Sequence, residues 1–195
     1  MHASCCEGQG TRLFGQLFAF LFSLLRGPAS NPKVSVRVDL YAQAALTEFS
    51  LPPLCGGGAG SLHVNTLWPY SSVVDISVIL PSPCPQFQLT LALRIPAWVP
   101  APVQIILAGS PYAHLGSPGS YLNIDPPTGV WTSGTTNVSF KLPMVVVGAP
   151  YDGSSQLLPY RRYSYLCGPV LMAMQGPCPL TIKKMAASSP PFNLQ

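Results

Sequence analysis

Residues 34–41 read VSVRVDLY, and their alternation decides the fold class. Val34, Val36, Val38 and Leu40 alternate with Ser35, Arg37, Asp39 and Tyr41, a period of two that belongs to a half-buried strand with one face on a core and one in water. Downstream, runs of the same kind recur at 61–67, 73–80, 87–95, 103–107, 120–124, 137–142 and 163–174. Between them lie SLPPLCGGGAG, PSPCP, GSPGS, DPPTG and VGAPYDGSS, whose Pro, Gly, Ser and Asp supply turn chemistry. Many short strands separated by turn signals predict a mainly β chain, an antiparallel β-sandwich of about eight strands.

Upstream of residue 34 the pattern changes. Leu13, Phe14, Leu17, Phe18, Leu21, Leu24 and Leu25 fall on one broad helical face, with Thr11 placed to cap it and Gly27-Pro28 to end it. The expectation is one apolar α-helix over 13–25, preceding the sandwich. Phe20 and Phe22 fill its other faces, so such a helix wants burial on several sides. At that length, and with Gly15, Gln16 and Ser23 inside it, the run is too short for the roughly 20 apolar residues of a membrane span. Arg12, the apolar run and GPAS also follow the order of a secretory signal peptide.

The chain has 195 residues, of which 8% are charged against a usual figure of about 25%. Highly charged disorder is excluded. The net charge of +4 reflects few acids, and the bases are scattered singly or in pairs such as Arg161-Arg162 and Lys183-Lys184, which predicts no nucleic-acid partner. Six cysteines, Cys5, Cys6, Cys55, Cys84, Cys167 and Cys178, could pair in about 15 ways in an oxidising compartment, and their spacing marks out no disulfide framework.

Several groups of residues could carry chemistry. The first is His2-Ala3-Ser4-Cys5-Cys6-Glu7, because a thiolate is both a strong nucleophile and a soft ligand, and adjacent cysteines can hold one zinc from a loop. His63 and His114 have no ligand-spaced partner and read as structural or exposed. Among the carboxylates Glu7, Asp39, Glu48, Asp75, Asp125 and Asp152 no pair is marked out by its neighbours, whereas a glycosidase usually needs two facing carboxyl groups. Trp68, Trp98, Trp131, Tyr112, Tyr121 and Tyr151 could stack on sugar; packing in a core is the simpler account. Asn137-Val138-Ser139 is a glycosylation sequon, significant only in a secreted chain with the site exposed.

Several segments, in order, resemble glycoside hydrolase family 127, the β-L-arabinofuranosidase-like proteins. SCCEGQGTRLFGQLFAFLFSL followed by VSVRVDLYAQAAL is similar to the stretch where a Cys-Cys motif leads through a barrel helix into a strand. LHVNTLWPYSSVVDISV and FQLTLALRIPAWV resemble the Tyr-Pro-Trp-Asp-Gly segment and the Leu-Arg-Ile-Pro-x-Trp strand, and GSYLNI, NVSFKLPMVV and YSYLCGPVLMAM resemble the rest of the same sandwich. Trp68-Pro69-Tyr70-Ser71-Ser72 departs from the family in lacking the Asp-Gly turn.

The resemblance implies a retaining glycosidase whose zinc-held cysteine thiolate attacks the anomeric carbon of a terminal L-arabinofuranose while a glutamic acid protonates the leaving group. By position Cys5 would be the nucleophile and a zinc ligand, and Cys6 a second zinc ligand; Glu7 and Arg12 share the motif without an assigned role. The carbohydrate partner would be an arabinofuranosyl glycan. In the family the acid glutamate and the remaining ligands lie upstream in an (α/α)6 barrel, so the expected organisation is a barrel remnant with the Cys-Cys motif at 1–30, the sandwich at 31–180 and a tail at 181–195. A chain so built is expected to be inactive by itself. The alternatives are an accessory sandwich that supports a barrel or contacts glycan, and a secreted Pro-rich structural protein whose mature form starts near Ala29.

Overall fold

The computed structural model describes residues 16–28, 30–126, 128–150 and 163–172. It divides the chain into two compact units, one of residues 1–97 and 101–142, the other of residues 98–100 and 143–195.

Twelve strands of the first unit follow in order: β1 (Phe22–Arg26), β2 (Val34–Val38), β3 (Ala44–Ser50), β4 (Ala59–Thr66), β5 (Val73–Leu80), β6 (Cys84–Pro85), β7 (Leu89–Ile95), β8 (Val103–Leu107), β9 (Ser110–Gly116), β10 (Ser120–Ile124), β11 (Val130–Trp131) and β12 (Gly134–Lys141). They form a four-stranded sheet in the order β1-β2-β7-β10, a six-stranded sheet in the order β3-β4-β5-β12-β8-β9, and the short pair β11-β6. The six-stranded sheet is antiparallel throughout. In the four-stranded sheet β2 and β7 run parallel, Val34 beside Leu89 and Val38 beside Leu93, whereas the outer pairs are antiparallel.

The period of two becomes burial directly. On β2 the valines at 34, 36 and 38 are buried while Ser35 and Arg37 are not, and β7 buries Leu89, Leu91, Leu93 and Ile95. Across from them β4, β5, β8 and β12 bury Leu62, Val64, Val74, Ile76, Val78, Ile105, Leu107, Val138 and Phe140. Each side chain of this kind contributes about 1.5–3 kcal/mol on leaving water, so the two inner faces hold the unit together. Gly116 on β9 lets the sheets close: a Cβ there would lie 2.6 Å from Ile95 Cγ1. Thr66, buried at the end of β4, is satisfied, its hydroxyl donating to Val73 O and accepting from Trp68 N.

Two expectations need correction. Residues 17–26 do not form an α-helix: Leu17–Phe20 is a single 3-10 turn, and Phe22–Arg26 is a strand that pairs with β2 along its whole length. An apolar run of this length is compatible with either structure, and what tips it is a partner. The open edge of β2 satisfies the backbone of 22–26, and the loop that follows closes with Gly27 N donating to Lys33 O and Asn31 N to Pro28 O. Gly27-Pro28 thus turns a hairpin instead of ending a helix. Residues 13–15 lie outside the described residues. The second correction concerns cysteine pairing: Cys55 and Cys84 form a disulfide, both fully buried, between the 3-10 turn Pro53–Cys55 and β6.

In the second unit β13 (Val146–Pro150), β14 (Tyr163–Cys167) and β15 (Val170–Met172) make a three-stranded antiparallel sheet. The run expected as one strand over 163–174 is therefore two, separated by a tight turn at Gly168 with φ of 58°, a conformation suited to glycine. Cys167, at the end of β14, is buried and forms no disulfide with another described cysteine.

Candidate functional site

The polar residues of β2, β7 and β10 that point away from the core gather into one surface. Register places Arg37 and Asn123 on either side of Ala92, and Tyr121 beside Arg94. Ala92 is small and only 2% exposed, and above it the Arg37 guanidinium lies over the Tyr121 ring, 5.1 Å from its centroid. Such a contact is worth about 0.5–1 kcal/mol at an exposed site. Tyr121 Oη donates to Asp39 Oδ1, Arg94 Nη1 donates to Asp39 O at 3.3 Å, and Tyr41 Oη donates to Arg94 O at 2.7 Å. The Tyr41 ring meets Phe140 edge to face, with centroids 5.4 Å apart, which anchors the cluster to the core.

The electrostatics follow from these contacts. Burial pushes the Tyr41 hydroxyl far above its ordinary range, with the neighbouring Tyr121 and Asp39 adding to the shift and Arg94 opposing it. The hydrogen bond that Tyr121 donates to Asp39 raises Tyr121 as well. A tyrosine whose folded pKa is raised contributes stability that is intact below the unfolded value near 10 and is lost as pH rises beyond it. The thermal midpoint is expected to fall above pH 10 more steeply in the native chain than in Tyr41→Phe, which has no proton to lose. Parallel slopes for the two proteins would remove this role from Tyr41.

Beside the cluster an open pocket of about 300 Å³ is lined by Arg26, Lys33 and Arg37 together with Ser35, Thr90 and Asn123, and by no carboxylate among the described residues. Arg37 Nε is buried there without a hydrogen-bond partner among the described residues. The surface is cationic and rich in hydrogen-bonding groups. Among the described residues it offers hydrogen-bond donors and positive charge to a polar group.

The residues singled out from the sequence are scattered. Cys5, Cys6, Glu7 and Arg12 lie outside the described residues, as do Tyr151 and Asp152. His63 and His114 are both exposed; His114 meets Tyr112 edge to face at 5.6 Å. Among the described residues no three of His, Cys, Asp and Glu come together as a metal site. Of the described aromatics, Trp131 is 1% exposed in the core, Tyr121 has Arg37 over one face of its ring while staying 43% exposed, and Trp98 belongs to the second unit. The Arg37–Tyr121–Asp39–Arg94–Tyr41 cluster went unnoticed in the sequence, although the alternation of 34–41 already put Arg37, Asp39 and Tyr41 on the solvent side.

No helix among the described residues is long and apolar enough to cross a membrane. Comparison with known proteins matches residues 35–144 to the family model described as β-L-arabinofuranosidase, GH127 middle domain. Among solved structures the chain is similar to a GH127 β-L-arabinofuranosidase from Geobacillus stearothermophilus, with a TM-score of 0.62 at 20% identity over 87% of this chain and 24% of that one. It is also similar to a protein described as a glycoside hydrolase (TM-score 0.61, 16% identity, 86% of this chain and 24% of that one) and to a GH127 β-arabinofuranosidase (0.59, 18%, 87% and 26%). At these identities the likeness shows the fold, and the chain spans about a quarter of the length of those proteins. No curated protein matches it. With its sandwich of alternating strands accounted for by the matched region, the chain belongs to the β-L-arabinofuranosidase family GH127, of which it contains the middle domain.

Proposed function

We propose that this chain is the sandwich portion of a retaining glycosidase acting on arabinofuranosyl glycans, joined upstream of β1, through the segment that carries Cys5-Cys6, to the end of the catalytic barrel, and that its own role is to support that barrel. The observation that carries the reading is the family match over 35–144, immediately downstream of the motif Cys5-Cys6-Glu7.

In this reading Cys5 Sγ attacks the anomeric carbon of a terminal arabinofuranose and the glycosidic oxygen leaves with a proton. Water then displaces the thiolate from the resulting thioglycoside, and two inversions give net retention. Two adjacent thiols are a donor pair whose softness suits zinc, with Cys5 and Cys6 as its ligands. Zinc would supply one thing, a sulfur kept ionised at neutral pH. Glu7 is the single carboxylate beside the cysteines and cannot be both a ligand and the proton donor. The groups that the family places upstream of the motif are not among these residues, so the chain by itself is inactive.

The test is elemental analysis of the purified chain, followed by incubation with a β-L-arabinofuranoside. Zinc is expected in the native chain and is expected to fall in both Cys5→Ser and Cys6→Ser, with no arabinose released by any of the three. A zinc-free native chain would remove the ligand assignment, and arabinose release that disappears in Cys5→Ala would overturn the inactivity.

A further inference from the structure

We propose that Asn137 carries an N-linked glycan, attached in the oxidising secretory compartment where Cys55 and Cys84 pair. The inference is independent of the enzymatic reading. It rests on two features that lie apart in the chain and point to the same place.

The first is the sequon. Asn137-Val138-Ser139 has the acceptor pattern with a residue other than proline in the middle. Such triplets are common, and a glycan on one is compatible with the folded chain where the asparagine side chain is exposed. Here β12 turns Val138 and Phe140 into the core, 0% and 3% exposed, which sends Asn137 to the opposite face, where it is exposed. Its cross-strand neighbour is Ser77, and the Ser77 hydroxyl donates to Asn137 Oδ1 at 2.9 Å. The sheet therefore engages the amide oxygen and not the nitrogen that would bear the sugar. Around it the outer face is mixed: His63 pairs with Ser77 and Ser139 with Asp75, while Ile79 and Ile106 lie half-buried beside Thr135 and Ser139. A glycan fits on that face without displacing any apolar contact of the core.

The second is the Cys55–Cys84 disulfide. Disulfides persist in secreted proteins and are rare where glutathione keeps thiols reduced. Both cysteines are 0% exposed, which shields the bond once the sandwich has closed. In a eukaryotic cell a chain that acquires this bond passes through the compartment that holds the glycosylation machinery.

The chemistry balances as two separate steps. Asn137 Nδ2 forms a bond to the anomeric carbon of a polyprenyl-diphosphate-linked oligosaccharide, the bond from that carbon to the diphosphate oxygen breaks, and the amide loses one proton as the polyprenyl diphosphate departs. The two thiols give up two electrons and two protons to a disulfide-bearing oxidoreductase, which leaves reduced.

The full chain would be produced behind a cleavable secretory leader in a eukaryotic cell and weighed by intact mass spectrometry before and after peptide N-glycosidase. Native chain and Ser139→Thr are expected to lose a glycan, whereas Asn137→Gln and Ser139→Ala have none to lose. Since transfer occurs on the nascent chain, a variant that folds poorly still reports. A non-reducing digest is expected to contain one linked peptide pair holding Cys55 and Cys84. A native chain unmodified at Asn137 overturns the proposal. A modified chain in which Cys55 and Cys84 are both alkylatable without reduction overturns the link between glycan and disulfide.

Discussion

Replacing Trp131 by alanine is expected to cost about 3–5 kcal/mol, which is a large share of the roughly 5–15 kcal/mol that holds a domain together. Trp131 heads the largest fully buried side chains of the described residues, and at 1% exposure its ring is enclosed by the sandwich. Its Nε1 donates to Leu89 O at 2.9 Å, so the indole also satisfies a carbonyl at the start of β7. Truncation therefore opens a cavity and leaves an unpaired acceptor at one point. Trp131→Phe separates the two effects, because it keeps most of the volume and loses the hydrogen bond, worth about 1 kcal/mol. Urea unfolding of the three proteins is expected to rank them native, Phe, Ala, with the larger gap between Phe and Ala. An alanine variant within about 1 kcal/mol of the native chain would place Trp131 outside the core.

The second large effect belongs to the disulfide. Cys55 and Cys84 are separated by 29 residues, and closing a loop of that size is expected to stabilise the fold by about 3.6 kcal/mol in the chain-entropy account. At roughly 2–4 °C per kcal/mol for a chain of this size, the double variant Cys55→Ala/Cys84→Ala should melt about 10 °C below the oxidised native protein. The measurement is a thermal scan of oxidised native chain, the same chain kept in strong reductant, and the double variant. Native protein that melts at the same temperature with and without reductant, while the double variant matches both, would show that the cysteines do not pair in solution.

What the sequence discloses depends on whether a segment has one wet and one dry face. β2, β4, β5, β8, β10 and β12 do, and their alternation is visible by eye with ends within a few residues of those observed. β1 does not. FSLLR is apolar on both sides of its backbone, and only the presence of β2's open edge makes it a strand. β3 was hidden for another reason, since its register shifts between Leu46 and Phe49 and the alternation breaks at that point. β9 contains Pro111 and sits at the edge of its sheet, where proline is tolerated and one side stays wet. Cys55–Cys84 was invisible because both cysteines lie in Gly- and Pro-rich turns whose approach is a property of the folded sheets. The same applies to Arg37, Tyr121 and Arg94, which three different strands bring together. In contrast, Cys5-Cys6 drew attention by residue type alone, and the structure adds no placement to it.

The parallel pairing of β2 with β7 has a consequence for how the chain finds its fold. The hairpins β3-β4, β4-β5 and β8-β9 meet early, but β2, like β5 with β12, must wait for a partner about fifty residues later in the chain, and the entropy of closing that loop opposes the step. The Cys55–Cys84 bond lies inside the loop. Once formed, it shortens the free path between β2 and β7 to about twenty residues and removes roughly 0.7 kcal/mol of closure entropy from that step. Oxidation then acts on the route as well as on the end point: a cross-link between the turn that precedes β4 and the short strand β6 brings β7 within reach of β2.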